Sequence, residues 1–251
     1  MDAAAILARY DAEIRADPPA EAGIEQVWAD GVLRIVGAYN CIGWWTFGAD
    51  EAAAAVAREA AFFRDKGVQW KVFDHDGPAN LTALLAAAGF EEDDPETFLA
   101  LDLDQIMPDF APPAGIEVRE VKDRAGVADL MAVSDAAFGR DEPWRLEQLA
   151  GLLGAPTQAL FVAYDGDVPV SSGRLALEPG KAFAGLYGGG TRPDYQGRGV
   201  YRALVAARAA EARRRGHRFL TVDARETSRP ILERIGFQRL DTVRDWTLPA
   251  T

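Results

Sequence analysis

The sequence predicts an α/β fold with a mixed α+β sheet, built from two similar halves in tandem. Short apolar segments of strand length alternate along the chain with longer segments of helical periodicity. A helix–strand–helix pattern occurs twice, with glycines at matching places in both copies. The chain has 251 residues, of which 49% are hydrophobic, so it can bury one large core or two modest ones.

The first half contains one complete copy of this pattern. Its predicted elements are, in order, a helix at 52–67, a strand at 68–74, a helix at 81–88 and a strand at 97–103. Gly67 ends the first helix, because glycine is the usual residue after a helix C-terminus. We expect Trp44, Trp45 and Trp70 in the core of this half.

A proline-rich segment separates the two halves. Residues 107–115 include three prolines and one glycine, and strand-like segments flank them on both sides. We interpret this segment as an interdomain linker. The predicted domains are therefore 1–106 and 116–251.

The second half has a longer series of elements. They are a strand at 116–121, helices at 125–138 and 143–153, strands at 159–164, 168–177 and 183–191, a helix at 201–215, a strand at 217–223, a helix at 228–235 and a strand at 238–246. Asp165 and Gly166 favour a tight hairpin turn between two of these strands.

A glycine-rich turn precedes the 201–215 helix, and it is the most informative segment of the chain. A strand, a glycine-rich turn and a helix N-terminus in this order direct backbone N–H groups at one point, where the helix dipole adds positive charge. Gly197 and Gly199 leave space for a close approach. The surrounding charges are Arg192, Arg198 and Arg202. The turn therefore predicts a phosphate or diphosphate site.

This turn resembles the acyl-CoA pyrophosphate loop of the GNAT superfamily of N-acyltransferases. The loop of that family follows the pattern Gln/Arg-x-x-Gly-x-Gly/Ala, and Gln196 and Gly199 fit it, with Val200 after them. Tyr201 departs from the pattern, because the family prefers a small residue there. The resemblance extends over roughly residues 114–251, since the order of elements in the second half also matches the GNAT fold.

The resemblance implies an acetyl-CoA-dependent N-acetyltransferase, acting on an amine of a small molecule without a metal. The cofactor-binding residues that it implies are Gly189, Gly190, Thr191, Gln196, Gly197, Arg198, Gly199, Val200, Tyr201 and Ser228. The family binds the pantetheine arm along a strand that splays from its neighbour, and by resemblance that strand is here Leu186 to Thr191. Gly188, Gly189 and Gly190 favour a bulge in that strand, with free backbone N–H groups.

The usual catalytic side chains of the family are missing. Many members have a carboxylate near the position of Leu186 and a tyrosine at the position of Leu232. The candidates that remain for proton transfer are Tyr187 and Glu226, together with Asp141 and Glu142. The alternative is transfer by positioning and desolvation alone. Trp144 adjoins the acidic pair, and this aromatic and acidic segment would suit a cationic amine or would anchor the core.

The first half is interpreted as a degenerate copy of the second. The two copies align at an offset of 149 residues as far as Asp74 and Asp223, which places Asp50 and Glu51 opposite Gly199 and Val200. These two carboxylates would cap their own helix and repel phosphate. We therefore expect no CoA at the first copy.

Composition and charge exclude several other classes of function. Residues 1–111 contain 7 basic and 21 acidic residues, whereas 112–251 contain 20 and 18. An acidic half and basic residues without interleaved aromatics argue against nucleic acid. A single cysteine excludes an internal disulfide, and one cysteine with two histidines argues against a zinc site. The sequence has no apolar run of about 20 residues, which argues against a membrane span. These features suit a cytoplasmic protein, and nothing in the sequence supports an oligomer.

Two other functions stay open from the sequence. The first is an acyl-CoA-binding or sensing module without turnover, which the missing side chains favour. The second is a tandem transferase of the mycothiol-synthase type acting on an amino sugar, which the tandem organisation favours.

Overall fold

The computed structural model describes residues 2–19, 23–139, 143 and 145–251, and these form an α/β fold. Asp141, Glu142 and Trp144, predicted near the acceptor, lie outside the described residues. The described part of the chain forms two compact units. One contains Met1–Phe98, Asp223–Glu226 and Arg239–Thr251, and the other contains Leu99–Val222 and Thr227–Gln238. The domain boundaries proposed from the sequence stay a prediction.

The described residues include twelve strands and seven α-helices. The strands are β1 Ile24–Ala29, β2 Val32–Gly37, β3 Cys41–Trp45, β4 Val68–Phe73, β5 Glu91–Glu92, β6 Glu96–Asp102, β7 Ile116–Glu120, β8 Gln158–Asp165, β9 Val168–Leu177, β10 Phe183–Thr191, β11 Phe219–Ala224 and β12 Gln238–Leu248. The helices are α1 Ala3–Tyr10, α2 Ala49–Phe63, α3 Leu81–Ala87, α4 Arg124–Phe138, α5 Arg145–Ala150, α6 Val200–Arg214 and α7 Arg229–Ile235. No described helix has the length and apolar character needed to cross a membrane.

In the first unit the strands follow the order β1-β2-β3-β4-β12. The β1–β2 and β2–β3 pairs are antiparallel, β3 and β4 are parallel, and β12 returns antiparallel to β4. Trp45, Phe47 and Trp70 are buried together in the core of this unit, with ring centroids 5.6–6.3 Å apart. Trp45 and Trp70 are thus core residues as expected, whereas Trp44 is only partly buried.

A buried arginine organises one group of charged residues in the first unit. Arg15 donates to both carboxylate oxygens of Asp76, at 2.9 and 2.7 Å, and to Asp11 at 2.8 Å. His75 lies between the carboxylates of Asp241 and Asp11, with ring nitrogens 2.5 and 2.9 Å from them. Burial disfavours the charged imidazole, but the hydrogen bonds to Asp241 and Asp11 outweigh burial and raise the pKa of His75.

In the second unit β7, β8, β9 and β10 form an antiparallel meander, and α6 connects β10 to the parallel strand β11. Helices α4 and α6 cover opposite faces of β10. A Cβ on Gly190 would meet Ala137 of α4, whereas a Cβ on Gly189 would meet Arg208 of α6. Because successive strand residues point to opposite faces, these two glycines allow a close approach of one helix on each side.

Both units contain a strand, a 15-residue helix and a parallel strand, but their alignment differs from the one that the sequence suggested. Ala49 and Val200 begin the two helices, so the offset is 151 positions and not 149. The strands β4 and β11 begin at the same offset of 151, at Val68 and Phe219. Gly48 is therefore the structural counterpart of Gly199, since each is the N-cap residue of its helix.

The reason for this correction lies at the ends of the two helices. Helix α2 ends at Phe63, and Gly67 follows after a turn in which its N–H donates to the Phe63 carbonyl. Helix α6 ends at Arg214, and Gly216 follows sooner, donating to the Arg213 carbonyl. The two glycines end their helices at different distances, so equating them shifts the alignment by two residues.

Candidate functional site

The N-terminus of α6 is open toward a cavity. A short 3₁₀ turn, Pro193–Tyr195, follows β10 and leads into Gly197 and Gly199. These glycines have φ angles of 73° and 87°, in the left-handed region that glycine tolerates best. Gly199 is the N-cap, and within the described chain no side chain accepts a hydrogen bond from the first turn of α6. The backbone N–H groups of this turn therefore stay available to an anion.

The cavity at this turn has a volume of about 610 Å³. This volume lies within the range of small-molecule sites. It is lined by Phe110, Ala137, Phe138, Gly189, Gly190, Thr191, Tyr195, Gln196, Gly197, Gly199, Val200, Tyr201, Arg202, Thr227, Ser228, Ile231, Arg234 and Ile235. The charged side chains in this lining are both arginines, Arg202 and Arg234, and no described lining residue is acidic. The electrostatics of the cavity thus favour an anionic ligand.

The structure brings together nine of the ten residues predicted to bind the cofactor, which line one cavity. The exception is Arg198, which is exposed and stacks its guanidinium over the Tyr195 ring at 4.8 Å. The Gln196 side chain donates to the Thr191 carbonyl at 3.2 Å, and the Thr191 hydroxyl lies 2.8 Å from that of Ser171. These two side chains hold the turn in place, which leaves mainly their backbone groups for a ligand.

Strand β10 diverges from β11 beside this cavity. The parallel pairing between them runs from Phe183–Phe219 to Gly185–Thr221, whereas β10 continues to Thr191. On its other edge, the register with β9 shifts between Tyr187 and Gly190. The shift agrees with the bulge that the three glycines predicted, and it places irregular backbone at the cavity wall.

The two residues predicted for catalysis do not line the cavity. Tyr187 is 42% exposed, and its ring turns back over Gly185 with the Arg174 guanidinium 4.8 Å from the ring centroid. Glu226 is exposed, directly before Thr227, which lines the cavity. Leu186 and Leu232, which the resemblance placed at the positions of the family's usual catalytic groups, are both buried.

Several lining residues and one buried arginine were not predicted from the sequence. Phe110 comes from the proline-rich segment, and the Arg202 guanidinium lies 5.2 Å from its ring centroid. Arg234 lies on α7, where only the fold brings it to the cavity. Arg208 on α6 is fully buried. Its helical spacing from the buried residues Leu204 and Ala212 is the signal that could have revealed this.

The described residues contain no group of three or more His, Cys, Asp or Glu side chains that could hold a metal ion. His75 is engaged with carboxylates, and His217 is buried and interacts with the Lys181 carbonyl at 3.2 Å. Burial lowers the pKa of His217. Neither histidine lines the cavity.

The chain is similar to known proteins, in sequence over one domain and in fold over nearly its whole length. Residues 126–237 match the model of the Acetyltransferase (GNAT) family. A GCN5-related N-acetyltransferase from Kribbella flavida has a similar structure, with a TM-score of 0.69 at 16% identity over 99% of this chain and 95% of the other. A tandem GNAT protein from the clavulanic acid biosynthesis pathway gives 0.66 at 16% identity over 99% and 95%. A GCN5-related N-acetyltransferase from Sphaerobacter thermophilus gives 0.65 at 18% identity over 99% and 93%.

These structural likenesses extend over nearly the whole chain, and at this level of identity they establish the fold. No curated protein matches the sequence. The matched family domain contains both the glycine-rich turn and α6, which contribute to the lining of the cavity. The chain has the mixed α/β tandem GNAT fold, and within it residues 126–237 match the model of the Acetyltransferase (GNAT) family.

Proposed function

We propose that this protein transfers the acetyl group of acetyl-CoA to an amine of a small molecule. The observation that carries the proposal is the open N-terminus of α6, which lies at a cavity whose charged lining residues are both arginines. The diphosphate of CoA is the part of the donor that fits such a turn, because it can accept several backbone N–H hydrogen bonds at once. Arg202 and Arg234 supply charge for the remaining phosphate.

Strand β10 is the proposed binding surface for the acyl arm. Beyond Gly185 it no longer pairs with β11, and the bulge from Tyr187 to Gly190 changes the direction of its backbone groups. Gly189 and Gly190 line the cavity without side chains of their own, so a narrow chain can lie against the backbone. Backbone N–H groups at this place would bind the thioester carbonyl oxygen and stabilise the charge that develops on it.

The proposed reaction is a direct transfer. The neutral amine nitrogen attacks the thioester carbonyl carbon, a C–N bond forms and the C–S bond breaks. The electron pair of that bond leaves with the CoA sulfur, and the proton lost from nitrogen passes through solvent to the thiolate. Since Leu186 and Leu232 occupy the positions of the usual catalytic groups, we propose that positioning and desolvation supply most of the rate enhancement.

A second candidate function is acyl-CoA binding without turnover. The same two buried leucines favour it, because a binding module needs the turn and the cavity but no acid or base. The two functions share one ligand and differ in whether a covalent product forms.

The test combines a binding measurement with a product measurement. Calorimetry with acetyl-CoA reports binding, and mass spectrometry of an amine library incubated with acetyl-CoA reports transfer. We expect binding together with a mass increase of one acetyl group on at least one amine. Binding without product in a broad library would favour the sensing function. The absence of binding would overturn both proposals.

A further inference from the structure

Arg208 is a fully buried charge without an acidic partner among the described residues. It lies on α6 with none of its side-chain surface exposed. Its Nε donates to the Leu204 carbonyl at 3.3 Å, and its Nη1 donates to the Arg174 carbonyl at 3.4 Å. The remaining nitrogen, Nη2, is buried and has no hydrogen-bond partner in the part of the chain that the structure describes.

The guanidinium of Arg208 lies directly behind the cavity wall. A Cβ on Gly189 would stand 3.2 Å from Nη2 and 3.2 Å from the ring of Tyr201. Gly189 and Tyr201 both line the cavity, and Gly189 is partly exposed. Because Gly189 has no side chain, no Cβ stands between the unpartnered Nη2 and a ligand in the cavity.

Two strands leave room for this arginine. A Cβ on Gly173 of β9 would come within 2.6 Å of Nη1, and Gly189 occupies the corresponding place on β10. Tyr201 also belongs to this arrangement, and it stands where the sequence pattern prefers a small residue. An incidental arginine would not require such space on two adjacent strands together with a tyrosine beside it.

The chemistry of the guanidinium indicates which kind of ligand would satisfy its unused donor. Burial lowers the pKa of Arg208, and the adjacent Tyr201 partly opposes this effect. Arginine nevertheless stays protonated in proteins, so the charge cannot be removed by releasing a proton. A buried cation with an unused donor is stabilised by an anion such as a carboxylate, which accepts a charge-assisted hydrogen bond, and the proposed function already assigns the phosphates of CoA to the N-terminus of α6.

We propose that the Gly189 end of the cavity binds a carboxylate of one of the two substrates, with Arg208 as its counter-ion and Tyr201 beside it. This inference rests on the proposed acyl transfer and specifies its substrate class. The carboxylate has two possible sources. It is either the free end of a dicarboxylic acyl group carried by CoA or the carboxylate of an amino acid that accepts the acyl group. In both cases the carboxylate itself is unchanged, while the C–N bond forms and the C–S bond breaks as described above.

The experiment compares matched substrate pairs on the wild type and on Arg208→Met. This substitution keeps the length and apolar stem of the side chain and removes its charge. The donor pair is succinyl-CoA and butyryl-CoA, which differ in a terminal carboxylate. The acceptor pair is an amino acid and the amine that results from its decarboxylation. The ratio of the two kcat/KM values within each pair measures the effect of the carboxylate on kcat/KM.

We expect one of the two ratios to be at least tenfold in the wild type and to fall at least tenfold in Arg208→Met. The ratio that falls identifies the source of the carboxylate. Arg214→Met is the matched control, because its side chain on the same helix is 68% exposed and pairs with Glu211. It should leave both ratios unchanged.

Two outcomes would overturn the inference. One is a wild type that shows no preference for the charged member of either pair, a result that does not depend on whether any variant folds. The other is a preference that Arg208→Met leaves intact. Calorimetry with CoA, which lacks an acyl group, separates this inference from the proposed function. If the wild type binds CoA but shows no carboxylate preference, only the Arg208 inference fails, whereas a wild type that does not bind CoA removes the proposed function itself.

Discussion

Replacing Gly199 with aspartate would place a carboxylate at the N-cap of α6, where the proposed function expects a diphosphate. Two phosphate charges about 5 Å from a new carboxylate each cost about 0.8 kcal/mol at the dielectric constant of water. Their sum of about 1.7 kcal/mol exceeds the roughly 1.4 kcal/mol that corresponds to tenfold in affinity. We therefore expect Gly199→Asp to weaken acetyl-CoA binding at least tenfold in calorimetry.

Gly199→Ala is the matched control for this substitution. The φ angle of Gly199 is 87°, so any side chain there costs about 1–2 kcal/mol of backbone strain, and aspartate tolerates this region better than alanine. A Cβ at this position would meet only the end of the Arg202 side chain, at 3.3 Å, and Pro113 at 3.7 Å. Alanine should therefore weaken binding less than aspartate. Equal losses would refute the charge argument, and unchanged affinity in both variants would refute the site.

Three further predictions follow from the same structure. Calorimetry with excess acetyl-CoA should give one site per chain, because the N-terminus of α2 carries acidic residues, and a second diphosphate site there would contradict this reasoning. Tyr187→Phe and Glu226→Gln should each keep activity within about tenfold, and a pH–rate profile should rise with the free-amine fraction of the acceptor; a rise at an apparent pKa well below that of the acceptor, abolished in either variant, would reveal a dedicated base. His75, between Asp11 and Asp241, has a raised pKa, so the stability that it contributes is fully present below about pH 6.5 and is lost as pH rises through its folded-state pKa. Urea denaturation of His75→Gln and the wild type should therefore differ more at pH 6 than at pH 9, and equal differences at both would count against this account.

The local signals in the second half predicted its elements closely. Strands β9 and β10 have the predicted bounds, because the hairpin turn at Gly166 and the glycine-rich turn after Thr191 fix their ends. Helices α4 and α6 begin one residue earlier than predicted. For these elements hydrophobic periodicity and turn residues agree, which is the condition under which sequence patterns are most informative.

The sequence predicted less of what depends on tertiary contacts. Strands β1 to β3 precede the first predicted element and were not predicted, although Asp30 and Gly31, both with positive φ, form a two-residue hairpin turn between β1 and β2 that the sequence signals. The cavity needs Phe110, Phe138 and Arg234, which are far apart in the chain and meet only in the folded unit. A count of basic residues could not distinguish the buried Arg208 from the exposed Arg198, because burial is a property of the helix face and not of the residue type.

The Glu51 carboxylate accepts a hydrogen bond from the Gly48 N–H at 3.2 Å, so α2 carries its own acceptor. Helix α6 has no such side chain within the described residues, so the hydrogen-bond acceptor for its first N–H groups would be a ligand bound from solution. A ligand at 100 times its dissociation constant adds about 2.7 kcal/mol to the state that binds it. Amide hydrogen exchange in α6 should therefore slow as the supply of acyl-CoA rises, whereas exchange in α2 should not respond. The stability of one part of this chain would then follow the concentration of a metabolite, and that of its counterpart would be fixed by the sequence.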